Sequence, residues 1–459
     1  MSAIRSKKWR WAGAGTATAA LVAGMFAGTS TATAATPAIT PHQIKVSPDL
    51  VRLHAPNAQD IFSCQPNPID FSQGPRCYVP QQMRTAYGVA PLVNGGLNGA
   101  GRTIVIIDAF QDPYLAGDLH IFDETFGLPD PSFTQVAPQG VPPYDPNNKD
   151  MVGWGGEQTL DVEWSHAIAP GAKIVLVQSA SDQDADIYNA MKWAVDNNVG
   201  DVISMSFGEA ETCLDPTLLR EEHQLFGQAT AKGITLFASS GDSGASQYNC
   251  AQTAAIKAAS TPASDPYVTG VGGTTLNATD PAGNYVGETA WTELIGSCNP
   301  PATAPSDINC SGGGFSTLFA RPSWQTINAP GSGRGVPDVS YDAGVNGGVI
   351  IYCSGCGGPA SYYLSGGTSA GSPQWAAITA IGDQMLHRRL GWLNPNLYKI
   401  GKLGSGYNTA FHDVTTGDNF VSEINSGYNA GTNWDPVTGL GTPIAYRLLS
   451  FLANMPPAS

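Results

Sequence analysis

Charge is scarce in this chain. Lys, Arg, Asp and Glu make up 13% of the 459 residues, and 37 acidic side chains outnumber 22 basic ones to leave a formal net charge of −15. Cations this sparse leave no basic surface for a phosphate backbone, which excludes nucleic acid as a partner. Beyond the N-terminal segment no stretch reaches the ~18 uninterrupted apolar residues of a membrane span. Internal repeats and long low-complexity linkers are also missing, so the chain is not a repeat array. What it holds in quantity is Gly (54) and Pro (34), which points to many loops and turns rather than to long helices. Few amines and many carboxylates suit work in acid, where carboxylates lose charge and repel one another less. Solubility outside the cell accounts for the same composition.

Residues 1–35 read as a secretory signal. Arg5, Lys7, Lys8 and Arg10 form its charged start, an Ala-rich stretch centred on Val22–Phe26 its apolar middle, and Ala32-Thr33-Ala34 its cleavage site. The protein is therefore expected to be secreted and extracellular, with no membrane attachment once the signal is removed. Cys64, Cys77, Cys213, Cys250, Cys298, Cys310, Cys353 and Cys356 make an even set, for which disulfides are the default in an exported chain. Pairing of neighbours (64 with 77, 213 with 250, 298 with 310, 353 with 356) is the simplest arrangement. Cys353-Ser354-Gly355-Cys356 is read as a small disulfide loop, because neither a second C-x-x-C nor a histidine pair supports a zinc or redox motif.

Residues 36–77 read as an irregular N-terminal arm, and 78–459 as one catalytic domain. Short apolar runs rich in β-branched residues occur at Thr103–Asp108, Lys173–Gln178, Asp201–Ser206, Ile234–Ala238 and Tyr267–Val271. Segments compatible with helix separate them, at about 114–126, 157–167, 185–197 and 216–232. Strands alternating with helices of this length predict an α/β fold with a central, mostly parallel sheet covered by helices on both faces. Residues 285–360 read as loop-rich with short strands, and a long helix is predicted from about Ser369 to Leu390. In such sheets the sites gather at the carboxyl ends of the strands.

Three segments carry chemistry. In Ser365-Gly366-Gly367-Thr368-Ser369-Ala370-Gly371-Ser372-Pro373, small residues bend the chain and a helix follows, with Pro373 placed in its first turn. Ser369 then sits at a helix N-terminus, where developing negative charge is favoured. A helix cap after a glycine turn fits the same residues. A nucleophilic serine needs a base, and none of the seven histidines is placed to be one; His166 is expected to pack or cap near the Ala169–Ala172 turn. The chain offers Gly155-Gly156-Glu157-Gln158-Thr159-Leu160-Asp161-Val162-Glu163-Trp164 instead. Glu157 and Asp161, at i and i+4, project from one helix face, and two carboxylates sharing a proton leave one able to accept the Ser369 proton in acid. Two solvated helix carboxylates fit the spacing too. Ser239-Ser240-Gly241-Asp242-Ser243-Gly244 ends a buried strand in a glycine-flanked acid. A protonated Asp242 there donates to an oxyanion, while an Asx turn is the plainer alternative.

Taken together these segments resemble the serine-carboxyl peptidase family, the sedolisins, over about residues 78–455. G-E-x-x-L-D-x-E-W and G-G-T-S-A-x-x-P appear in the family's order, after Tyr78-Val79-Pro80 through Tyr87-Gly88-Val89. The resemblance implies a subtilisin-like fold, Ser369 as nucleophile, Glu157 as general base and acid, Asp161 as its support and Asp242 as the oxyanion acid. It also implies one structural calcium ion held by the carboxylates of Asp413 and Asp435 and the carbonyls of Val414, Gly431 and Asn433. Asn433 stands where the family usually has glycine, Asp108 where it usually has Glu, and Phe207 where a tryptophan often follows Ser-x-Ser. The family's long propeptide is not expected in the arm 36–77. The function implied is a secreted, monomeric, acid-active endopeptidase acting on polypeptides. A tripeptidyl-type exopeptidase and an inactive extracellular binding protein on the same fold are the alternatives.

Overall fold

The computed structural model describes residues 42–46, 50–53, 62, 64, 76–278, 281–293, 298, 309–326 and 328–458. The signal segment 1–35 and most of the arm lie outside the described residues. The central sheet has eight strands: β1 (Thr103–Ala109), β2 (Phe133–Val136), β3 (Lys173–Ser179), β4 (Val202–Met205), β5 (Thr235–Ser239), β6 (Thr269–Asn277), β7 (Gly287–Ala290) and β8 (Val339–Asp342). Their order is β7-β6-β5-β4-β1-β3-β2, with β8 also on β6. Every pairing is parallel except β6 with β7, which is antiparallel.

The β-branched runs form strands because both of their faces are buried. In β1 every residue after Thr103 is buried. Ile104 and Ile106 belong to one apolar cluster and Val105 and Ile107 to another, as the two-residue period of a strand requires. Helices α2 (Lys149–Ile168) and α5 (Thr368–Leu386) cover the first face; α3 (Asp184–Asp196) and α4 (Pro216–Ala231) cover the second. Helix α1 (Leu115–Phe126) packs beside α2, with Phe122 against Trp164. The fold is thus the α/β type predicted.

Several predicted bounds move. Helix α2 starts at Lys149, eight residues ahead of the predicted 157, capped by Asn148, whose side chain accepts from the N–H groups of Asp150 and Met151. Gly153, Gly155 and Gly156 lie inside the helix. Gly153 is glycine for space: a Cβ there would lie 2.6 Å from the Val46 carbonyl oxygen. Helix α5 spans Thr368–Leu386 and closes on His387 in the left-handed conformation at φ 52°. Strand β2, absent from the sequence reading, completes the sheet together with β7 and β8, which fall in the segment 285–360 read as loop-rich with short strands.

The arm is not wholly irregular. Leu50–Arg52 pairs antiparallel with Ser361–Ser365, in a second sheet that continues through Gly348–Cys353 to Cys77–Tyr78. All four neighbouring cysteine pairs are disulfides, 64–77, 213–250, 298–310 and 353–356, as the simplest arrangement predicted.

Trp164 is fully buried between the two sheets' contacts and donates its indole N–H to the Ile350 carbonyl at 3.0 Å. Trp164→Ala opens a cavity and orphans that carbonyl, and should cost about 3–5 kcal/mol of stability. Asn148→Ala, which removes one cap, should cost about 1 kcal/mol. Guanidinium unfolding midpoints of the two variants test this ranking.

Candidate active site

Three parallel strands carry polar groups at their carboxyl ends: Asp108 near the end of β1, Ser206 just after β4 and Asp242 just after β5. Ser369 is the second residue of α5. Gly367, its cap, has φ 85°, a conformation that glycine adopts freely. A Cβ there would also lie 2.7 Å from Asp242 Oδ2, so the glycine makes room for the acid.

Pro373 falls in the second turn of α5, not in the first as predicted. Having no N–H, it leaves the Ser369 carbonyl without its helix donor. The Ser206 hydroxyl takes that place at 3.3 Å, and Ser369 Oγ donates in return to the Ser206 carbonyl at 3.2 Å. A second tie between β4 and α5 joins Ser204 Oγ and Ser372 Oγ at 2.8 Å. The nucleophile candidate is therefore fixed to the sheet from both sides.

Helix α2 is buried all round from Trp154 to Ile168, so its carboxylates are not a solvated surface pair. Burial pushes Glu157 well above the ordinary carboxylate range, reinforced by Asp161 and Asp242 and opposed by the Ser369 hydroxyl beside it. Burial raises Asp161 likewise, against the pull of the Ser206 hydroxyl. Asp108 is raised by burial and then by the charges of Asp161 and Glu157. Ionising all three would place like charges together in a low dielectric, so their surroundings favour the protonated forms. Asp242 is raised by burial too, though Thr368 lowers it through two bonds. Its Oδ1 accepts from Thr368 N at 2.8 Å and Thr368 Oγ1 at 2.6 Å.

Glu157, Asp242 and Ser369 line one cleft of about 260 Å³ together with Ser206 and Phe207. Asp161 and Asp108 stand behind Glu157. Among the described residues no histidine lines the cleft. His166 is buried in the last turn of α2, where its Nε2 meets the Pro129 carbonyl at 2.8 Å and Asp123 Oδ1 at 3.1 Å. The sequence reading missed Ser206 and Thr368 as partners, although Ser-x-Ser at a strand's carboxyl end was a usable signal. It also missed Gln43, Lys45 and Val46 of the arm, which line the same cleft and carry no motif.

The five residues named for calcium lie in one loop cluster. Asp413 accepts from Asn433 N at 3.1 Å and from the Tyr407 hydroxyl at 2.9 Å. Asp435 accepts from Gly431 N at 3.1 Å and Val437 N at 2.8 Å, and the Val414 carbonyl accepts from Thr438 Oγ1 at 3.3 Å. Among the described residues the Gly431 and Asn433 carbonyls accept no hydrogen bond. Asn433 has φ 64°, so the backbone is in the conformation that glycine takes readily and asparagine tolerates. An all-oxygen donor set with two carboxylates fits a hard divalent cation.

Residues 146–396 match the subtilase family. Kumamolisin of Bacillus sp. (strain MN-32) is 35% identical over 401 residues, covering 84% of this chain and 65% of that protein. Tripeptidyl-peptidase 1 of Bos taurus is 31% identical over 335 residues, covering 65% of this chain and 52% of that protein. The chain thus spans less than two thirds of the length of either relative. The solved structure of Pseudomonas sedolisin, a serine-carboxyl proteinase complexed with two molecules of pseudo-iodotyrostatin, superposes with a TM-score of 0.70. It is 28% identical, over 83% of this chain and 99% of that one. A parallel sheet of subtilisin type, with a serine at the start of its long helix and a carboxylate pair on the helix facing it, places the chain in the subtilase family, in its serine-carboxyl peptidase (sedolisin) branch.

Proposed function

We propose that this protein is an exported, acid-active serine-carboxyl endopeptidase. The observation that carries the reading is a cleft shared by Ser369, Glu157 and Asp242, with buried Asp161 and Asp108 behind Glu157 and no histidine among its described lining residues. Ser369 Oγ turns its hydrogen bond from the Ser206 carbonyl to Glu157 and attacks the peptide carbonyl carbon, while Glu157 takes the hydroxyl proton. Asp242 already accepts two bonds at Oδ1, so its own proton belongs on Oδ2, from which it donates to the oxyanion. Collapse of the tetrahedral intermediate breaks the C–N bond, and the amine leaves with the proton held by Glu157. Water then attacks the acyl-serine, with Glu157 as base again, and the acid product departs. Asp161 shares protons with Glu157 and keeps it basic enough to act while other carboxylates stay neutral.

Export is supported by the N-terminal signal pattern and by four disulfides. The calcium reading places the carboxylates of Asp413 and Asp435 and the carbonyls of Val414, Gly431 and Asn433 around one ion. The ion would be structural, joining the loop of Asp413 and Val414 to the loop of Gly431, Asn433 and Asp435. A tripeptidyl exopeptidase uses the same chemistry and differs only in needing a free substrate N-terminus.

Ser369→Ala and Glu157→Gln should each remove hydrolysis of a denatured protein at about pH 3–5, where carboxylic acids are partly protonated. Activity retained in either variant would falsify the mechanism. Mass mapping of products, and the effect of acetylating the substrate N-terminus, separate internal cleavage from release of tripeptides.

Stability should fall as pH rises. Burial raises Glu157, Asp161, Asp108 and Asp242, and lifts Asp184 to about 7 and Asp383 to about 8. The folded protein keeps protons that the unfolded chain releases from about pH 4 upward. Their stabilisation is present in acid and is lost as pH climbs through 7 and 8. The urea midpoint should therefore be higher at pH 4 than at pH 7.5, and Asp108→Asn should narrow the difference. A midpoint that rises with pH contradicts the assignment of shared protons.

Chelation should lower the melting temperature, and added Ca²⁺ should restore it, as mass action on the folded state requires. Asp413→Asn with Asp435→Asn should abolish that response. A melting temperature indifferent to chelator removes the ion from the reading.

A further inference from the structure

The segment His42–Val46 lies along the edge of the cleft that holds Ser369. Its main chain is extended: Ile44 N donates to the Asp182 carbonyl at 2.8 Å, Asp184 N donates to the His42 carbonyl at 3.1 Å, and Gln43 stands opposite Gln183 in an antiparallel bridge. Gln43 Nε2 adds a bond to Asp182 Oδ1 at 3.2 Å. The segment thus pairs through its main chain, as an extended peptide does, with the short stretch leading into α3.

The side chains of this strap lie in an acidic trough. Lys45 Nζ is 2.6 Å from Asp150 Oδ2 and 4.0 Å from Asp182 Oδ2. His42 Nδ1 meets the Glu209 carboxylate and lies 3.9 Å from Asp184. The Asp182 carboxylate is 2% exposed, and its Oδ2 accepts no hydrogen bond. A buried carboxylate oxygen aimed at an ammonium group at that distance is a receptor for a cation that Lys45 only partly satisfies. The seat is shaped as well as charged, since Gly153 leaves the space that the Val46 carbonyl fills. Gln43, Lys45 and Val46 line the same cleft as Glu157 and Ser369.

We propose that Asp150 and Asp182 form a subsite for a cationic side chain, lysine or arginine, of an extended peptide substrate, and that Lys45 of this chain's own strap occupies it as an intramolecular competitor. The substrate docks on Asp182–Asp184 as the strap does, and displaces it. The proposal rests on the peptidase reading for the nature of the occupant, but the binding it requires does not depend on turnover.

The test uses the full chain carrying Ser369→Ala and fluorescent, acetylated octapeptides in which a single Lys, Glu or norleucine is scanned through the sequence, with affinity read by anisotropy at pH 5.5. Adding Lys45→Ala, or separately Gly153→Ala, which unseats the strap without touching the trough, should tighten binding of one lysine peptide by about tenfold, the scale of a charge-assisted pair. The glutamate and norleucine peptides should not gain. Asp182→Asn with Asp150→Asn in the Lys45→Ala background should erase the lysine preference. Equal affinity for lysine and norleucine peptides in both strap variants overturns the subsite. Hydrolysis by the chain with Ser369 intact is measured in parallel. Lysine-selective binding without hydrolysis sinks the peptidase reading alone, hydrolysis without lysine selectivity sinks the subsite alone, and loss of both sinks both.

Discussion

Burial of the carboxylates on α2 is the constraint around which the rest of the molecule is arranged. The helix is enclosed between the central sheet, α5 and the second sheet, and from Trp154 onward no face of it meets water. An ionised carboxylate in such a place costs several kcal/mol unless it is paired or keeps its proton. Among the described residues no cation neutralises Glu157, Asp161 or Asp108: Asp161 raises Glu157, and both raise Asp108. Other side chains of the helix are tied to the surrounding strands. Gln158 donates to the Ala109 carbonyl at 2.8 Å, Glu163 accepts from Tyr352 N at 3.0 Å, and Trp164 donates to Ile350.

Position at the cleft is set by the same economy of partners. Pro373 removes one helix bond at Ser369, and Ser206 replaces it across the sheet–helix boundary. Thr368 engages one oxygen of Asp242, and Gly367 leaves room for the other. Each contact joins the segment just after a sheet strand to the start of α5. Preorganisation of that kind is what an electrostatically stabilised transition state requires. In the proposed mechanism a set of carboxylates stands in for histidine, because the surroundings, not the side-chain type, tune basicity.

What could be read along the chain was whatever depends on near neighbours. Double-sided burial makes a strand apolar throughout, so Thr103–Ala109, Lys173–Ser179 and their parallel companions announced themselves, and with them the α/β layering. Cysteine spacing offered neighbour pairing as the simplest arrangement, and all four disulfides do close between sequence neighbours. The Glu157–Asp161 interval and the small-residue turn before Ser369 are local geometry as well. Less visible were Phe133–Val136, half-exposed and short, and Val339–Asp342, set within loops. The start of α2 was hidden because its glycines signal a break in isolation, and only the Val46 carbonyl packed on Gly153 gives one of them another purpose.

Residue types, their local periods and the order of motifs were determined by the sequence alone, since each follows from one segment's own chemistry. Tertiary structure decided whether the two carboxylates on α2 were solvated or buried, where the proline left a carbonyl to be claimed by Ser206, and that a segment near residue 44 lies beside Ser369. These are contacts between residues tens to hundreds of positions apart. Their energy comes from desolvation and close approach, which exist only once the chain has closed around them.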